Sequence, residues 1–265
     1  MKRASTLILF LAACGQTSSP LDEKPRVQPA AKQAAPPAPV AKAFIADEKN
    51  DLIEFHYAWS PEAAAVPQLV DRFRKDLNKV KAELIANASA DKSFRERQQF
   101  DFHIHSSHTE YKTAGQSPRL LSMSVDAASY TGGAHGNYGT GALLWDRLAA
   151  REIKLTDVFA APANMGRLLT DRWCEKLNKA REEKRGEAVG GGGLFDECPS
   201  LDEIAIIPTD NDGNGRFDMM VLIASPYVAG PYAEGSYQIE LTLTPELMAS
   251  LKGDYRTSFE AAHTQ

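Results

Sequence analysis

The sequence predicts an α+β fold of two similar-sized units, in which antiparallel β-sheets are each packed by an amphipathic helix. Several short segments alternate apolar and polar residues with a period of two, which is typical of half-buried strands; the clearest is Ile53–Trp59. Two longer segments carry apolar residues at steps of three and four, which is typical of helices that cover a core. Strands that follow one another without an intervening helix favour antiparallel pairing.

The first unit is predicted over residues 44–139. Its opening strand ends at Ser60-Pro61, a pair that breaks a strand and favours the start of a helix. The apolar stripe of that helix consists of Leu69, Phe73, Leu77, Val80 and Leu84. Two further strands are predicted near residues 100–105 and 121–130.

The second unit is predicted over residues 140–265. It begins with a hairpin near residues 143–155 and continues into a helix. The apolar stripe of this helix consists of Leu169, Trp173, Leu177 and Ala180. Three strands are predicted near residues 204–207, 217–224 and 237–243, and a short helix near residues 245–251 closes the unit.

The amino terminus differs in composition from the rest of the chain. Residues 1–13 combine a basic start with a short apolar run and small residues, which is the pattern of a secretory signal peptide. The segment Leu11-Ala12-Ala13-Cys14 resembles the lipobox of bacterial lipoproteins. The resemblance implies cleavage before Cys14, acylation of that cysteine, and an anchor in a membrane. Gly15 in place of an aspartate implies the periplasmic face of the outer membrane.

Residues 14–43 contain the cysteine and a proline- and alanine-rich stretch without aromatic residues. Such a composition offers too little apolar surface to offset the entropy of ordering the backbone. We therefore predict a disordered tether that holds the folded part away from the lipid. An ordinary secreted protein with a chance cysteine is the alternative interpretation.

The overall charge and hydropathy exclude two classes of protein. The net charge is −5 and no long basic patch is present, so a nucleic-acid partner has no electrostatic support. Removal of Lys2 and Arg3 with the signal peptide would make the net charge more negative. No apolar run approaches the ~20 residues of a spanning helix, which excludes a polytopic membrane protein.

Cys174 and Cys198 are the remaining cysteines of the chain. In an oxidising compartment, a leftover pair of cysteines predicts a disulfide. A redox or metal-binding pair is disfavoured because the two cysteines are not closely spaced.

Two glycine- and tyrosine-rich motifs provide the candidate ligand-binding residues. The first is Tyr-Thr-Gly-Gly-Ala-His-Gly-Asn-Tyr at residues 130–138, and the second is Ser-Pro-Tyr-Val-Ala-Gly-Pro-Tyr-Ala-Glu-Gly at residues 225–235. Glycine permits positive φ and close approach, so both motifs predict tight loops. The candidates are Tyr130, Gly132, Gly133, His135, Tyr138, Tyr227, Tyr232 and Glu234. Each motif has two open interpretations, a binding loop or a structural turn.

Together the motifs resemble the paired extracytoplasmic domains of lysozyme-sensing anti-sigma factors of the RsiV type, which also precede the catalytic domain of some peptidoglycan deacetylases. The resemblance implies a recognition module of the cell envelope, with a lysozyme-like protein or peptidoglycan as the ligand. The sequence departs from both families, because it has neither a sigma-binding segment nor a deacetylase domain with its metal-binding motifs. The chain therefore resembles the module as a stand-alone lipoprotein.

Two groups of residues are candidate metal ligands. Asp210, Asp212, Asn214 and Asp218 follow much of the spacing of a calcium loop with glycine at the sixth position. Val221 stands where the bidentate glutamate is expected, so a weak calcium site and an ordinary hairpin turn are both open. His103 and His105 would share one face of a strand, with His108 nearby, which is a weaker indication of metal binding. No other cofactor is predicted.

Catalysis has little support in the sequence. No Gly-x-Ser-x-Gly, His-Glu-x-x-His, Walker or Rossmann pattern is present. We therefore predict a non-catalytic binding module. A peptidoglycan- or polysaccharide-processing enzyme is the alternative, because paired carboxylates are defined only in three dimensions. A purely architectural envelope lipoprotein is the third interpretation of the sequence.

Overall fold

The computed structural model describes residues 41–261. The predicted signal peptide, Cys14 and almost all of the predicted tether lie outside the described residues. The strands are β1 (Phe44–Lys49), β2 (Ile53–Trp59), β3 (His105–Gln116), β4 (Leu120–Tyr130), β5 (Asn137–Asp146), β6 (Arg151–Ile153), β7 (Ala205–Thr209), β8 (Met219–Ala224) and β9 (Tyr237–Thr242). The helices are α1 (Pro61–Ala64), α2 (Pro67–Gln98), α3 (Pro162–Arg185), α4 (Pro245–Ser250) and α5 (Gly253–Arg256). Within this range, every helix lacks the length or the apolar character that crossing a bilayer requires.

The first sheet contains six strands in the order β1 to β6. Neighbouring strands are antiparallel except β2 and β3, which are parallel. Helix α2 connects β2 to β3 and supplies the crossover that parallel neighbours require. The predicted α+β fold with two sheets is confirmed, and this parallel pair departs from the predicted antiparallel pairing.

Helix α2 covers one face of the first sheet. Pro67 lies in its first turn, where the missing N–H costs no hydrogen bond, and Gln99 ends it in the left-handed conformation. Leu69 and Phe73 are fully buried, which confirms the predicted apolar stripe. They pack among the aromatic side chains of β2, with the Phe73 ring 5.7 Å from that of Trp59. This layer is the core of the first sheet.

The strand predicted near residues 100–105 is wrong. Strand β3 begins only at His105, and the apolar residues Phe100 and Ile104 are exposed while His105 is buried. The His105 Nε2 atom lies 3.1 Å from Asp91 Oδ2 on α2. A hydrogen-bonded partner offsets the cost of burying an imidazole. A polar residue is therefore buried here, and the alternation of apolar and polar residues did not identify the buried face. His103 and His105 therefore do not form a metal-binding pair on one strand.

The second sheet contains β7, β8 and β9 in antiparallel order. Leu169, Trp173 and Leu177 of α3 pack on one face. The other face lies against the first sheet, and an open cleft of about 250 Å³ lies between the two sheets near Asp126 and Thr140. Strand β5 crosses the predicted boundary between residues 139 and 140 and stays in the first sheet. The division of the chain into two units at that position remains a prediction.

Cys174 and Cys198 lie in disulfide geometry, with their Cα atoms 5.5 Å apart. The bond would tie α3 to the segment that precedes β7. Closing a loop of this length stabilises a protein by about 3.5 kcal/mol in the chain-entropy model. We expect reductant to lower the free energy of unfolding by that amount, measured by urea denaturation. The Cys174→Ser/Cys198→Ser variant should be equally weakened and insensitive to reductant; an unchanged midpoint on reduction would contradict the bond.

Candidate functional site

The two glycine- and tyrosine-rich motifs meet in the structure. The first forms the loop between β4 and β5, and the second forms the connection from β8 to β9. Tyr232 lies at the centre: the ring centroids of His135, Tyr138 and Tyr227 are 4.1, 5.7 and 5.7 Å from its own. We call these four side chains the aromatic surface. Residues that are about ninety positions apart in the sequence thus form one cluster.

The aromatic surface is open to solvent. Tyr227 is 55% exposed and Tyr138 is 44% exposed, while His135 is exposed and Tyr232 is half-buried. The Nδ1–H of His135 donates to the Gly136 carbonyl at 2.8 Å. Nε2 of a neutral imidazole then accepts a hydrogen bond, and the Tyr227 hydroxyl lies 3.4 Å from it. The ring of His135 is therefore held by one hydrogen bond on each nitrogen.

Tyr227 has an unusual backbone conformation. Its φ is +70°, a backbone conformation that residues other than glycine, asparagine and aspartate rarely adopt. The Tyr227 N–H donates to the Gly230 carbonyl at 2.9 Å and holds the turn. Such strain costs on the order of 1–3 kcal/mol and is concentrated at functional sites. Tyr227 is thus an exposed tyrosine on a strained turn.

Gly139 allows the two motifs to touch. The Ser225 hydroxyl accepts a hydrogen bond from the Thr140 N–H at 3.2 Å. A Cβ atom at position 139 would lie 2.8 Å from the Ser225 oxygen, so any larger residue would force the Ser225 side chain to shift and would disturb this hydrogen bond. Glycine at position 139 therefore allows the close approach of the second motif to β5.

Glu234 follows Tyr232 by two residues and accepts several hydrogen bonds. Arg185 of α3 donates to its carboxylate at 2.9 Å, and the Tyr237 hydroxyl also donates to it. Burial raises the pKa of Glu234, but the hydrogen bonds from Arg185 and Tyr237 outweigh it and hold that pKa below its ordinary value. The carboxylate thus fixes the turn that carries Tyr232. Arg185 was not among the predicted site residues, because nothing in its local sequence indicates a partner about fifty residues away.

The beginning of the first motif is attached to α2. The Arg95 guanidinium donates to the Gly132 carbonyl at 3.2 Å and to Asp91 at 2.7 Å. Burial raises the pKa of Asp91, but the hydrogen bonds from Arg95 and His105 hold it below its usual value. Gly132 therefore lies at an anchoring point.

Tyr130 and Gly133 stand apart from the aromatic surface. Tyr130 is half-buried and pairs with Ser106 across the sheet, and its ring does not stack on the four rings of that surface. Gly133 is exposed, and a side chain there would meet open space. The structure thus assembles part of the predicted candidate set.

The predicted calcium loop connects β7 to β8. Its carboxylates accept hydrogen bonds from the loop itself: Asp210 accepts from the N–H groups of Gly213 and Gly215 at 2.8 and 2.9 Å, and Asp218 accepts from that of Asn211 at 2.8 Å. Asp212 accepts from Asn214 in the same way. These bonds are those of a self-supporting polar turn. Calcium binding at this loop remains a prediction.

A row of side chains extends from the aromatic surface across the first sheet. In the strand register Tyr138 pairs with Ala128, Ala128 with His108, and His108 with His56. The small Ala128 side chain leaves a cleft of about 320 Å³ between Tyr138 and His108. Phe55 and Tyr57 pack in the core with α2, and successive residues of a strand point to opposite faces. His56 and its partners in the row therefore lie on the face opposite α2. His56 was absent from the predicted site.

Fold and site together define a two-sheet α+β protein with an exposed aromatic surface at the junction of two loops. Residues 46–138 match the family model described as deacetylase PdaC, so this part of the chain is similar to that family. The match covers β2 to β4 and the whole first motif and ends at Tyr138. The second motif lies beyond it.

Two solved structures of DUF3298 family proteins are similar to this chain. One, from Pseudomonas aeruginosa, is 18% identical with a TM-score of 0.49, and the similarity covers 80% of this chain and 94% of that one. The other, from Bacteroides fragilis, is 19% identical with a TM-score of 0.49 and covers 82% and 95%. The comparison with curated proteins gave no match.

Proposed function

We propose that this protein is a non-catalytic, lipid-anchored binding module of the bacterial cell envelope, and that its aromatic surface binds a peptidoglycan-active protein of the lysozyme class. The observation that carries the proposal is the convergence of Tyr138, Tyr227 and Tyr232 on one exposed cluster. Aromatic side chains dominate the binding energy of protein interfaces. Tyrosine combines a large apolar ring with a hydrogen-bonding hydroxyl and has few rotamers to lose on binding.

The choice of ligand and location rests on the sequence. The motifs resemble the extracytoplasmic region of lysozyme-sensing anti-sigma factors, and residues 46–138 match the family model described as deacetylase PdaC. The lipobox-like segment around Cys14 supports an anchor on the periplasmic face of the outer membrane. A net charge of −5 favours a basic partner such as lysozyme.

Titration of the purified protein with lysozyme at increasing salt tests the proposal. We expect saturable binding whose affinity falls as salt rises, because complementary charge mainly raises the association rate. Cytochrome c, a basic protein of unrelated fold, is the control and should bind much more weakly. Equal binding of both proteins, or no binding of lysozyme, would contradict the proposal.

The same preparation separates the other candidate functions. Retention on purified peptidoglycan with little dependence on salt would favour the glycan as the ligand. Turnover of muropeptides would favour an enzyme. Both outcomes would overturn the proposed lysozyme-type partner.

A further inference from the structure

Three potential metal ligands lie together on the sheet face opposite α2. Among residues 41–261, His56, His108 and Glu110 form a group whose ligand atoms all lie within 4.8 Å of one another. None of them belongs to the two glycine- and tyrosine-rich motifs. We propose that this cluster binds a divalent transition-metal cation of the zinc type, because two imidazoles and one carboxylate are a donor set that such cations accept.

The strand register holds the three side chains in place. His56 and His108 are partners on the parallel strands β2 and β3, and their rings lie 4.4 Å apart and nearly parallel. Glu110 follows His108 by two residues on the same strand and so shares its face. All three side chains are therefore carried by β-strands, which position a site more precisely than loops do.

Asp47 on β1 supplies a support that metal-binding histidines usually have. Its Oδ1 lies 2.6 Å from Nδ1 of His56. A carboxylate only accepts hydrogen bonds, so Nδ1 carries the proton and Nε2 of the neutral ring is free to bind a metal. A carboxylate behind a ligating imidazole fixes its tautomer and raises its basicity. Asp47 is thus a positioning residue of the proposed site.

Small side-chain rotations complete the site. Two ligands of a tetrahedral Zn²⁺ lie about 3.3 Å apart, given metal–nitrogen distances of 2.0–2.1 Å. The side chains of His56, His108 and Glu110 are 28%, 43% and 32% exposed, so they have room to turn and a cation can reach them. Three protein ligands leave a fourth coordination position for water or for a group of a bound ligand.

The ammonium of Lys112 competes with a metal cation for Glu110. Its Nζ lies 3.0 Å from Glu110 and 3.0 Å from Asp126. When a metal takes Glu110, Lys112 keeps its ion pair with Asp126, so the ammonium is not left without a partner. Metal binding therefore breaks only the exposed ion pair between Lys112 and Glu110, and such a pair contributes little to stability.

The proposed metal site and the aromatic surface share one face of the sheet. Only Ala128 separates His108 from Tyr138 in the register. The metal proposal does not depend on the proposed function, since it rests on the ligand geometry alone.

Titration of the purified protein with Zn²⁺ in competition with a chromophoric chelator tests the site. We expect one equivalent to bind in the wild type, with at least a 10-fold loss of affinity in the His108→Ala variant and a 10–100-fold loss in the Asp47→Ala variant. The matched control is His103→Ala, an exposed histidine outside the cluster, which should bind Zn²⁺ as the wild type does. Absence of binding in the wild type, or equal affinity in all variants, would overturn the proposal.

A second measurement uses only the wild-type protein, so its result does not depend on whether a variant folds. Zn²⁺ should shift the ring resonances of His56 and His108 in nuclear magnetic resonance spectra of the wild type and leave those of His103 unchanged. Shifts of all the histidines alike, or of none, would also overturn the proposal.

Discussion

The Tyr232→Ala variant is expected to bind lysozyme about 30-fold more weakly than the wild type. Tyr232 contacts the three other rings of the aromatic surface, so its removal takes away the centre of the proposed interface. Truncation of a central aromatic anchor costs about 2 kcal/mol or more, which corresponds to that factor in affinity. Biolayer interferometry against immobilised lysozyme measures the change, and we expect it mainly in the dissociation rate.

Phe100→Ala is the matched control for this variant. Phe100 is a large aromatic residue, 62% exposed, and lies outside the aromatic surface. Its removal should leave affinity unchanged. Tyr232 is half-buried at the surface, so its variant should unfold within about 1 kcal/mol of the wild type. Wild-type affinity in the Tyr232→Ala variant would contradict the role of the aromatic surface.

The Arg181→Met variant is expected to lose about 3 kcal/mol or more of unfolding free energy. Arg181 is fully buried in α3, and its guanidinium donates to the carbonyl oxygens of Ala229 at 2.9 Å and Glu197 at 3.0 Å and to that of Asp196. Methionine fills a similar space but leaves the buried Ala229 carbonyl and the two part-buried carbonyls without this donor. A buried acceptor that loses its donor costs about 1–3 kcal/mol, and the part-buried ones add to this loss. Urea denaturation followed by circular dichroism measures the loss.

Lys179→Met controls for the change of side chain on the same helix. Lys179 is exposed, so its replacement should alter stability by less than about 0.5 kcal/mol. Because Arg181 holds Ala229, Arg181→Met should also loosen the second motif and weaken lysozyme binding. Equal stability of the two variants would show that the buried guanidinium does not hold this region together.

The sequence predicted those helices and strands whose buried face is defined by the spacing of apolar residues. The stripe from Leu69 to Leu84 identified α2, and the alternation in β2 identified a buried strand, because apolar side chains alone decide both. The same rule failed at residues 100–105, where Asp91 stabilises a buried His105. Long-range partners of this kind cannot be inferred from local sequence.

The candidate site could be predicted only in part for the same reason. The many glycine and tyrosine residues identified both motifs in the sequence. The contact between the motifs, however, depends on the packing of Ser225 against β5 at Gly139. Glu234 was predicted to bind a ligand, but its carboxylate accepts a hydrogen bond from Arg185, about fifty residues away in the sequence. The cluster of His56 with His108 depends on a parallel strand pairing that an antiparallel prediction excludes.

Hydrogen–deuterium exchange with and without saturating lysozyme tests the central claim most directly. The account predicts slower amide exchange in residues 131–139 and 226–235 when lysozyme is bound, since these segments carry the aromatic surface. The exposed side of α2 should exchange as before. Protection confined to α2, or unchanged exchange in both loops under conditions of proven binding, would show that lysozyme binds elsewhere on the molecule.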